Sequence, residues 1–399
     1  MNFFQTTIEH LGRIITGKTP KTKEKTFWDG NIPFVTPQDL QHGKHILSTE
    51  RKITNEGASS VKGAILPSKA ICVSCIGNLG YVSQTCEKSV TNQQINSIIV
   101  NEQNDADFIY YLLKNMWSVF KNLEGQSTTL SILNKTLFSK IEVTIPSLEE
   151  QQRISYILNT LDEKIEQNAQ INRNLEQQAQ AIFKSWFVDF EPFQDGRFVD
   201  SELGPIPDGW RLTEMGDVTT EKRAKVGKQI LKVFSAVNTG ELKLSEDYFT
   251  KQVFSKDIGK YIVVEPLSFA YNPARINIGS IGINDMGYAG CVSPVYVVFS
   301  AEIGYQHFIN FLIKRPFFKE ELKTRSSGSV RQSLSHRDFG LIKTIYPPRN
   351  IIEQFNKVYE PILGGIKHNL AENTKLITLR DTLLPKLMSG EIDVSEVDV

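Results

Sequence analysis

The chain carries the same strand-to-helix joint twice, 201 residues apart. FSKIEVTIP begins at Phe138 and FGLIKTIYP begins at Phe339, and each reads as a short strand closed by proline ahead of a long helix-forming stretch. DFIYYLLK and HFINFLIK repeat at nearly the same spacing, which predicts one short amphipathic helix at about 105–122 and another at about 305–323. A period this long excludes a solenoid and predicts two copies of one globule-plus-helix unit.

Bulk composition fits a protein of several globular domains, with 399 residues of which 40% are hydrophobic and 23% charged. The N-terminus lacks the basic and apolar regions of a signal peptide, and the apolar runs are too short to span a bilayer, so we expect a cytoplasmic protein. Cys72 and Cys75 form a CxxC inside the apolar run AICVSCIG. We expect them to be buried structural residues, because no second ligand pair lies at zinc-finger spacing.

The net charge of zero conceals an alternation along the chain. Residues 1–146 carry a charge of +3, residues 147–210 of −7, residues 211–349 of +7 and residues 350–399 of −3. Basic segments are candidates for contact with a phosphate backbone, whereas acidic helices are poor ones. Ordinary surface scatter remains an alternative for a difference as small as +3.

Both long helical stretches carry a heptad seam, from Ile154 to Trp186 and from Phe355 to Leu387. Each seam has two asparagines in its middle, and a buried amide fixes register because it must find a partner. An internal two-fold repeat requires the helices to run antiparallel over about 55–60 Å. Amide-to-amide pairing then predicts the pairs Asn168–Asn373 and Asn172–Asn369, and it leaves Leu161 opposite Arg380 as the one mixed pair. A solvated kink in two independent helices is the alternative.

Several stretches together carry a family likeness: FWDGNIPFVTPQDL (27–40), IPSLEEQQRI (145–154), IFKSWFVDFEPF (182–193), GPIPDGW (204–210) and LITLRDTLLPKLMSGEI (376–392). With these motifs the chain resembles the specificity subunit of type I restriction–modification systems over essentially its whole length. The distal helix departs at Gly364 and Gly365, where the central copy has Glu163 and Lys164. Each glycine costs roughly 1 kcal/mol inside a helix, which predicts a local bend or weaker pairing there.

The resemblance implies an α+β fold, with two mixed α/β target-recognition domains separated by two long antiparallel coiled-coil helices in an internal pseudo-two-fold repeat. The domains implied are target-recognition domain 1 at 1–146, a central helical spacer at 147–196, target-recognition domain 2 at 197–349 and a distal helical spacer at 350–399. It also implies double-stranded DNA with a bipartite target, two adenine-methylating modification subunits, and restriction subunits that join through the methyltransferase core. Those partners would use S-adenosylmethionine, ATP and Mg, and this chain would bind no cofactor.

The sequence itself lacks catalytic motifs. YNPARI is the nearest approach to the Asn-Pro-Pro-aromatic stretch of an adenine methyltransferase, but the second proline and the aromatic residue are missing. A phosphate-binding GxxxxGK[ST] loop is also missing, and the histidines show no metal-ligand spacing. We therefore expect a non-catalytic reader and scaffold, with no catalytic, cofactor-binding or metal-binding residues.

Polar, turn-rich loops are the candidates for DNA contact, because bases and phosphates are read by Arg, Lys, Asn, Gln, Ser and Thr. Matched loops occur in both copies at ITGKTPKTK and TEKRAKVGK, TPQDL and SAVNTGEL, and EGQSTTLS and RSSGSVRQS. Solvated loops without a ligand are the alternative for each. The candidate residues are Lys18, Thr19, Lys21, Thr36, Gln38, Asn92, Gln93, Ser127, Thr128, Lys222, Arg223, Lys225, Asn238, Arg275, Ser326, Ser327, Arg331 and Gln332.

Three aromatic residues near the end of the central helix, Phe183, Trp186 and Phe187, exceed what one seam needs. We expect part of this surface to dock a methyltransferase subunit, with packing against the neighbouring globule as the alternative for Phe187. At the level of the whole chain, the alternative function is a coiled-coil assembly scaffold whose globules bind proteins rather than DNA.

Overall fold

The computed structural model describes residues 2–41, 43–125, 131–249, 253–326 and 333–398. The chain divides into two compact units. The first unit consists of Met1–Gln170 together with His368–Val399, and the second of Ile171–Lys367. Each unit therefore holds one mixed α/β domain and half of each of two long helices.

The first domain begins at the N-terminus and ends where the first long helix starts. Its strands are β1 Phe4–Thr7, β2 Gly12–Thr16, β3 Trp28–Val35, β4 His45–Ile46, β5 Arg51–Ile53, β6 Ile65–Leu66, β7 Ile71–Ser74, β8 Val82–Thr85, β9 Ser89–Thr91, β10 Ile95–Val100 and β11 Glu142–Ile145. Its helices are α1 Ile8–Leu11, α2 Asn55–Ser60, α3 Ala106–Asn115, α4 Trp117–Gly125 and α5 Lys135–Ser139, and the long helix that follows is α6 Leu148–Phe187.

The second domain repeats this order. Its strands are β12 Phe198–Val199, β13 Ile206–Pro207, β14 Arg211–Glu214, β15 Thr219–Lys222, β16 Lys232–Val237, β17 Glu241–Leu244, β18 Ile262–Val264, β19 Phe269–Tyr271, β20 Ile281–Ile283, β21 Gly290–Val292, β22 Val297–Ala301 and β23 Lys343–Tyr346. Its helices are α7 Met215–Val218, α8 Ser245–Tyr248, α9 Gln306–Leu312, α10 Pro316–Ser326 and α11 His336–Gly340, followed by the second long helix, α12 Arg349–Ser389.

Strand order shows that the two domains share one topology. The first domain contains sheets ordered β1-β11, β2-β10-β7-β8-β4 and β5-β3-β9-β6. The second contains β14-β23, β15-β22-β19-β20 and β17-β16-β21-β18, so that every strand of these three sheets except β4 has a counterpart. Even the parallel pair recurs, as β3 with β9 and as β16 with β21. The α+β class and the internal repeat predicted from the sequence are confirmed.

The joint that suggested the repeat lies at the base of each domain. Phe138 and Phe339 are fully buried at the ends of the short helices α5 and α11. The chain then forms β11 or β23, which pairs with the first strand of its domain, and passes through proline into a long helix. Because the strand is held by the domain and runs on into the helix, the joint attaches each domain to its helix.

Two local predictions were wrong. The amphipathic helix expected at about 105–122 is two helices, α3 and α4, and that expected at about 305–323 is α9 and α10. In the second domain Pro316 begins the new helix, as expected for a residue that cannot donate within a helix but fits its first turn. Within GPIPDGW, Ile206 and Pro207 pair with β12 in a short hairpin.

The long helices run antiparallel within the first unit, because residues further along α6 contact residues that come earlier in α12. Ile154 and Leu158 share a core with Leu384 and Leu387, whereas Asp162 pairs with Arg380. All predicted seam positions are buried or half-buried. In the second unit α12 continues through the two glycines without a break, and a Cβ added at Gly365 would lie 3.4 Å from the Leu175 methyl group. The two glycines therefore do not interrupt the helix, and the local bend or weaker pairing expected there stays a prediction.

Candidate nucleic-acid interface

Three loops of the first domain meet at one place. The backbone N–H of Lys18 donates to the carbonyl of Thr91 at 2.8 Å, and the Thr19 hydroxyl donates to Gln93 Oε1 at 2.6 Å. Asn92 in turn donates its backbone N–H to the carbonyl of Val35 at 3.0 Å, immediately before Thr36. The loops that follow β2, β3 and β9 therefore form one continuous polar surface, with the side chains of Lys18 and Gln93 exposed.

Some candidate side chains in this surface are already used within it. Asn92 is only 9% exposed, and its amide both donates to Gln94 Oε1 and accepts from the Gln94 backbone N–H. Thr36 donates its hydroxyl to Asp39 Oδ2 at 2.7 Å. These two residues shape the loops, while Lys21 and Gln38 have exposed side chains.

Candidates in the second domain lie on the corresponding loops. Lys222, at the end of β15, and the following Lys225 are exposed, and Arg223 is exposed while forming a 2.9 Å ion pair with Glu221. That carboxylate raises the pKa of Arg223, which is a cation in any case. Asn238, the residue after β16, is exposed.

The turn that carries Arg275 lies beside the Asn238 loop. A Cβ added at Gly279 would come within 2.8 Å of the Asn238 carbonyl oxygen, and the Ser280 hydroxyl donates to the carbonyl of Ala236 at 2.7 Å. The far end of the turn that begins near Arg275 thus lies against Asn238, although the two segments are distant in sequence.

One DNA-contact prediction is contradicted and five others lie outside the described residues. Ser326 is 3% exposed, and its hydroxyl donates to the carbonyl of Lys323 at 3.1 Å, so it closes the last turn of α10 instead of facing solvent. The predicted contact residues that the structure does not describe are Ser127, Thr128, Ser327, Arg331 and Gln332.

The expectation that aromatic residues of α6 form an exposed docking surface is wrong for Phe183 and Phe187, each of which is 4% exposed. The Phe187 ring lies 5.0 Å from the rings of Phe308 and Phe355. Trp186 is half-buried against the same core. The excess of aromatic residues is explained by the second domain, which covers this end of α6 in addition to α12.

Comparison with known proteins relates the chain to one family. The family model described as "Type I restriction modification DNA specificity domain" matches residues 4–177. The MjaIX specificity subunit of Methanocaldococcus jannaschii is 29% identical over 98% of this chain and 93% of its own length. The HindI specificity subunit of Haemophilus influenzae is 37% identical over 40% of this chain and 36% of its own length. The chain thus contains a type I restriction modification DNA specificity domain at residues 4–177 and is similar to specificity subunits of type I restriction enzymes over nearly its whole length.

The fold agrees with this assignment. The crystal structure of the type I restriction–modification S subunit from M. genitalium superposes with a TM-score of 0.61 over 97% of this chain and 96% of that chain, at 17% identity. Likeness at this level of identity establishes a shared fold. The alternative of a scaffold whose globules bind proteins receives no support from these comparisons.

Sequence reasoning missed a buried polar network at the base of the first domain. Asp162 of α6 accepts from the Tyr111 hydroxyl at 2.7 Å and from the Arg380 guanidinium at 2.6 Å. The side chains of Asp162 and Arg380 are only 8% and 13% exposed. Burial raises the pKa of the Tyr111 hydroxyl, and the Asp162 carboxylate raises it further. Arg380, which was predicted to lie opposite Leu161, therefore forms an ion pair with the next residue of α6, Asp162.

Lys44 extends this network towards the domain. Its side chain is 3% exposed, and its ammonium lies 2.6 Å from Asp107 Oδ1, bonds to Asn159 of α6 and faces the Tyr111 ring at 4.9 Å. Burial opposes ionisation of Asp107, but Lys44 holds the pKa of that carboxyl below its usual value. The network ties α3, α6 and α12 together through charges that are paired and hydrogen-bonded, the condition under which buried charge is tolerated.

The second unit makes the same attachment without charges. At the positions 201 residues from Asp162 and Arg380 stand Leu363 and Ala179, and Phe311 replaces Tyr111. Phe311 stacks on Phe183 with ring centroids 4.9 Å apart. Such a difference could be found from the repeat alone by asking which buried positions change from polar to apolar.

The described residues contain no group of three or more His, Cys, Asp or Glu side chains arranged to hold a metal ion. Cys72 and Cys75 are buried as expected, and burial raises the pKa of each thiol to about 12. Among the described helices, none combines the length and apolarity needed to cross a bilayer.

The helix seam yields a prediction about register. Asn168 donates through Nδ2 to Asn373 Oδ1 at 2.9 Å and to Glu372 at 2.6 Å, and Asn373 donates to the carbonyl of Ile165. Asn168→Leu should therefore lower the free energy of unfolding of the first unit by about 1 kcal/mol, because the buried Asn168 amide and its half-buried acceptors lose their hydrogen bonds. Replacing Asn168 and Asn373 together by leucine should recover most of that loss, as measured by chemical denaturation. Equal losses for the single and double variants would contradict the pairing.

Proposed function

We propose that the chain is the non-catalytic subunit that reads a split DNA target, with each domain reading one half-site. The observation that carries this proposal is that one topology presents matched loops twice, with different side chains on them. Lys18, Thr19 and Gln93 gather on one surface in the first domain, as the Asn238 loop and the turn that begins near Arg275 do in the second. Two copies of one scaffold with altered loops are what recognition of two unlike half-sites requires.

We further propose the organisation that goes with this role. Residues 1–146 and 197–349 are the target-recognition domains, and residues 147–196 and 350–399 are the helical spacers. Two adenine methyltransferase subunits that bind S-adenosylmethionine act with the chain, and restriction subunits that use ATP and Mg join through the methyltransferase core. The negative charge of the segments 147–210 and 350–399, against the positive charge of the domains, supports binding of DNA by the domains alone.

Selection from random duplex DNA, using the chain together with its modification subunits, tests this proposal. We expect a motif of two short specified blocks separated by a fixed unspecified gap, and affinity that falls steeply with salt. Lys18→Ala should weaken binding to all sequences alike and lower the salt slope by about one, because it removes a phosphate contact without changing base contacts.

Lys140→Ala provides the matched control. Lys140 is exposed and precedes Ile141, whose carbonyl accepts from the backbone N–H of Ile8, the first residue of α1, whereas Lys18 follows the far end of β2. Its loss should leave affinity and salt slope unchanged. Salt-insensitive binding, or a selection without any enriched sequence, would contradict the proposed function.

A further inference from the structure

The turn between β7 and β8, residues 75–81, lies inside the candidate surface of the first domain although no motif pointed to it. Cys75 donates its backbone N–H to the carbonyl of Gln94 at 2.7 Å, next to Gln93. On its other side, Gly77 donates to the carbonyl of Ser131 at 3.1 Å, where the loop predicted to contact DNA ends. Asn78, the residue after Gly77, is exposed.

The turn is held rigidly, so that Asn78 is presented in a fixed place. The Ser74 hydroxyl donates to the Asn78 carbonyl at 2.7 Å and accepts from the Tyr81 backbone N–H at 2.9 Å. Leu79 is 1% exposed, and its backbone N–H donates to Glu124 on α4. Preorganised groups of this kind read a ligand with little ordering cost.

The second domain has the corresponding turn between β19 and β20, residues 272–280. Ser74 donates its backbone N–H to the Tyr81 carbonyl at 2.9 Å in the first turn, and Asn272 donates to the Ser280 carbonyl at 3.1 Å in the second. A further matched bond joins each turn to the segment before the strand-to-helix joint. In the first domain the backbone N–H of Leu133 donates to the Cys75 carbonyl at 2.8 Å. In the second domain the backbone N–H of Leu334 donates to the Pro273 carbonyl at 3.2 Å.

Asn78 and Arg275 are the exposed polar residues of these matched turns, although they are not equivalent in register, because the matched bonds place Gly77 opposite Arg275. Each immediately precedes a buried apolar anchor, Leu79 in the first domain and Ile276 in the second, with the anchors 1% and 2% exposed. Among the described residues, neither the Asn78 amide nor the Arg275 guanidinium has a hydrogen-bond or ion-pair partner. The two copies therefore offer a different recognition group from the same turn.

These groups differ in the base they suit. An amide donates and accepts side by side, which matches N6 and N7 of adenine, whereas a guanidinium offers two parallel donors that match O6 and N7 of guanine. We propose that Asn78 and Arg275 are paired specificity-determining residues, Asn78 reading an adenine in one half-site and Arg275 a guanine in the other. This inference rests on the proposed function.

The test compares motifs selected from random duplex DNA by the wild-type chain, Asn78→Ala and Arg275→Ala, each assembled with its modification subunits. Arg275→Ala should relax one guanine position in one half-site, with roughly tenfold to hundredfold loss of discrimination there. Asn78→Ala should relax one adenine position in the other half-site by a similar factor. Neither variant should alter the half-site read by the other domain.

The outcomes separate this inference from the function on which it rests. Wild-type motifs that persist unchanged in both variants would overturn the assignment of Asn78 and Arg275 while leaving DNA reading intact. Uniform weakening on all sequences, as for Lys18→Ala, would assign the residues to phosphate and overturn the inference as well. Failure of the wild-type complex to select any sequence would instead overturn the proposed function. Arg275→Lys, which keeps the charge but loses the two-donor fork, should still relax the guanine position.

Discussion

Replacing Arg380 by leucine should lower the free energy of unfolding of the first unit by about 3–5 kcal/mol, since it leaves a buried charge without its partner. Water can solvate little of the unpaired Asp162 carboxylate, because that side chain is only 8% exposed. The Tyr111 hydroxyl still donates to that carboxylate, but one neutral donor does not replace a guanidinium at 2.6 Å. Hydrogen exchange of the backbone amides in α3 and the first half of α6 measures the loss of stability in the first unit separately from the second.

The chain supplies its own control for this experiment. Asp162→Leu combined with Arg380→Ala installs the pair that the second unit carries naturally at Leu363 and Ala179. This double variant should recover much of the stability lost by Arg380→Leu, because no unpaired charge remains. If the double variant were as unstable as the single one, the network would owe its effect to packing rather than to charge pairing.

Replacing Phe187 by alanine should destabilise the second unit by about 3–5 kcal/mol, the range for deleting a buried phenylalanine ring. Its ring contacts aromatic residues of three different segments, with centroids 5.0 Å from Phe308, 5.0 Å from Phe355 and 5.9 Å from Trp210. The loss should be seen in thermal unfolding of the isolated chain. A partner-docking role would leave the isolated chain unaffected and would weaken only the complex.

Phe317→Ala is the matched control for Phe187→Ala. Phe317 belongs to the same unit but is 44% exposed on α10. We expect a change in unfolding free energy within about 0.5 kcal/mol, as for ordinary surface positions. A large loss for Phe317→Ala, or none for Phe187→Ala, would contradict the assignment of the core.

The features predicted correctly from the sequence are those that a local pattern determines. The heptad seam follows from apolar spacing along one helix, and the repeat of Phe138 at Phe339 follows from comparing two stretches of one chain. The residues against which Phe183 and Phe187 pack could not be predicted in this way. A helix period shows which side chains point together, but the segments that cover them are distant in sequence.

Polar contacts were harder still, because their partners are distant in the chain. Lys44 and Asp162 read as ordinary surface charges until the fold brings each beside a residue far away. Asn78 was overlooked for a related reason, since GNLG reads as turn glycines between strands. The attachment of its turn to Gln94, through Cys75, becomes visible only from backbone hydrogen bonds between separate loops.

Mapping methylated adenines in cells that express this chain with its modification subunits tests whether each domain reads its own half of a split target. We expect one motif of two specified blocks separated by a gap of fixed length. We also expect that exchanging residues 197–349 for the corresponding domain of another specificity subunit changes one block and preserves the other. A motif without a gap, or an exchange that changes both blocks together, would contradict this division of the target between the domains.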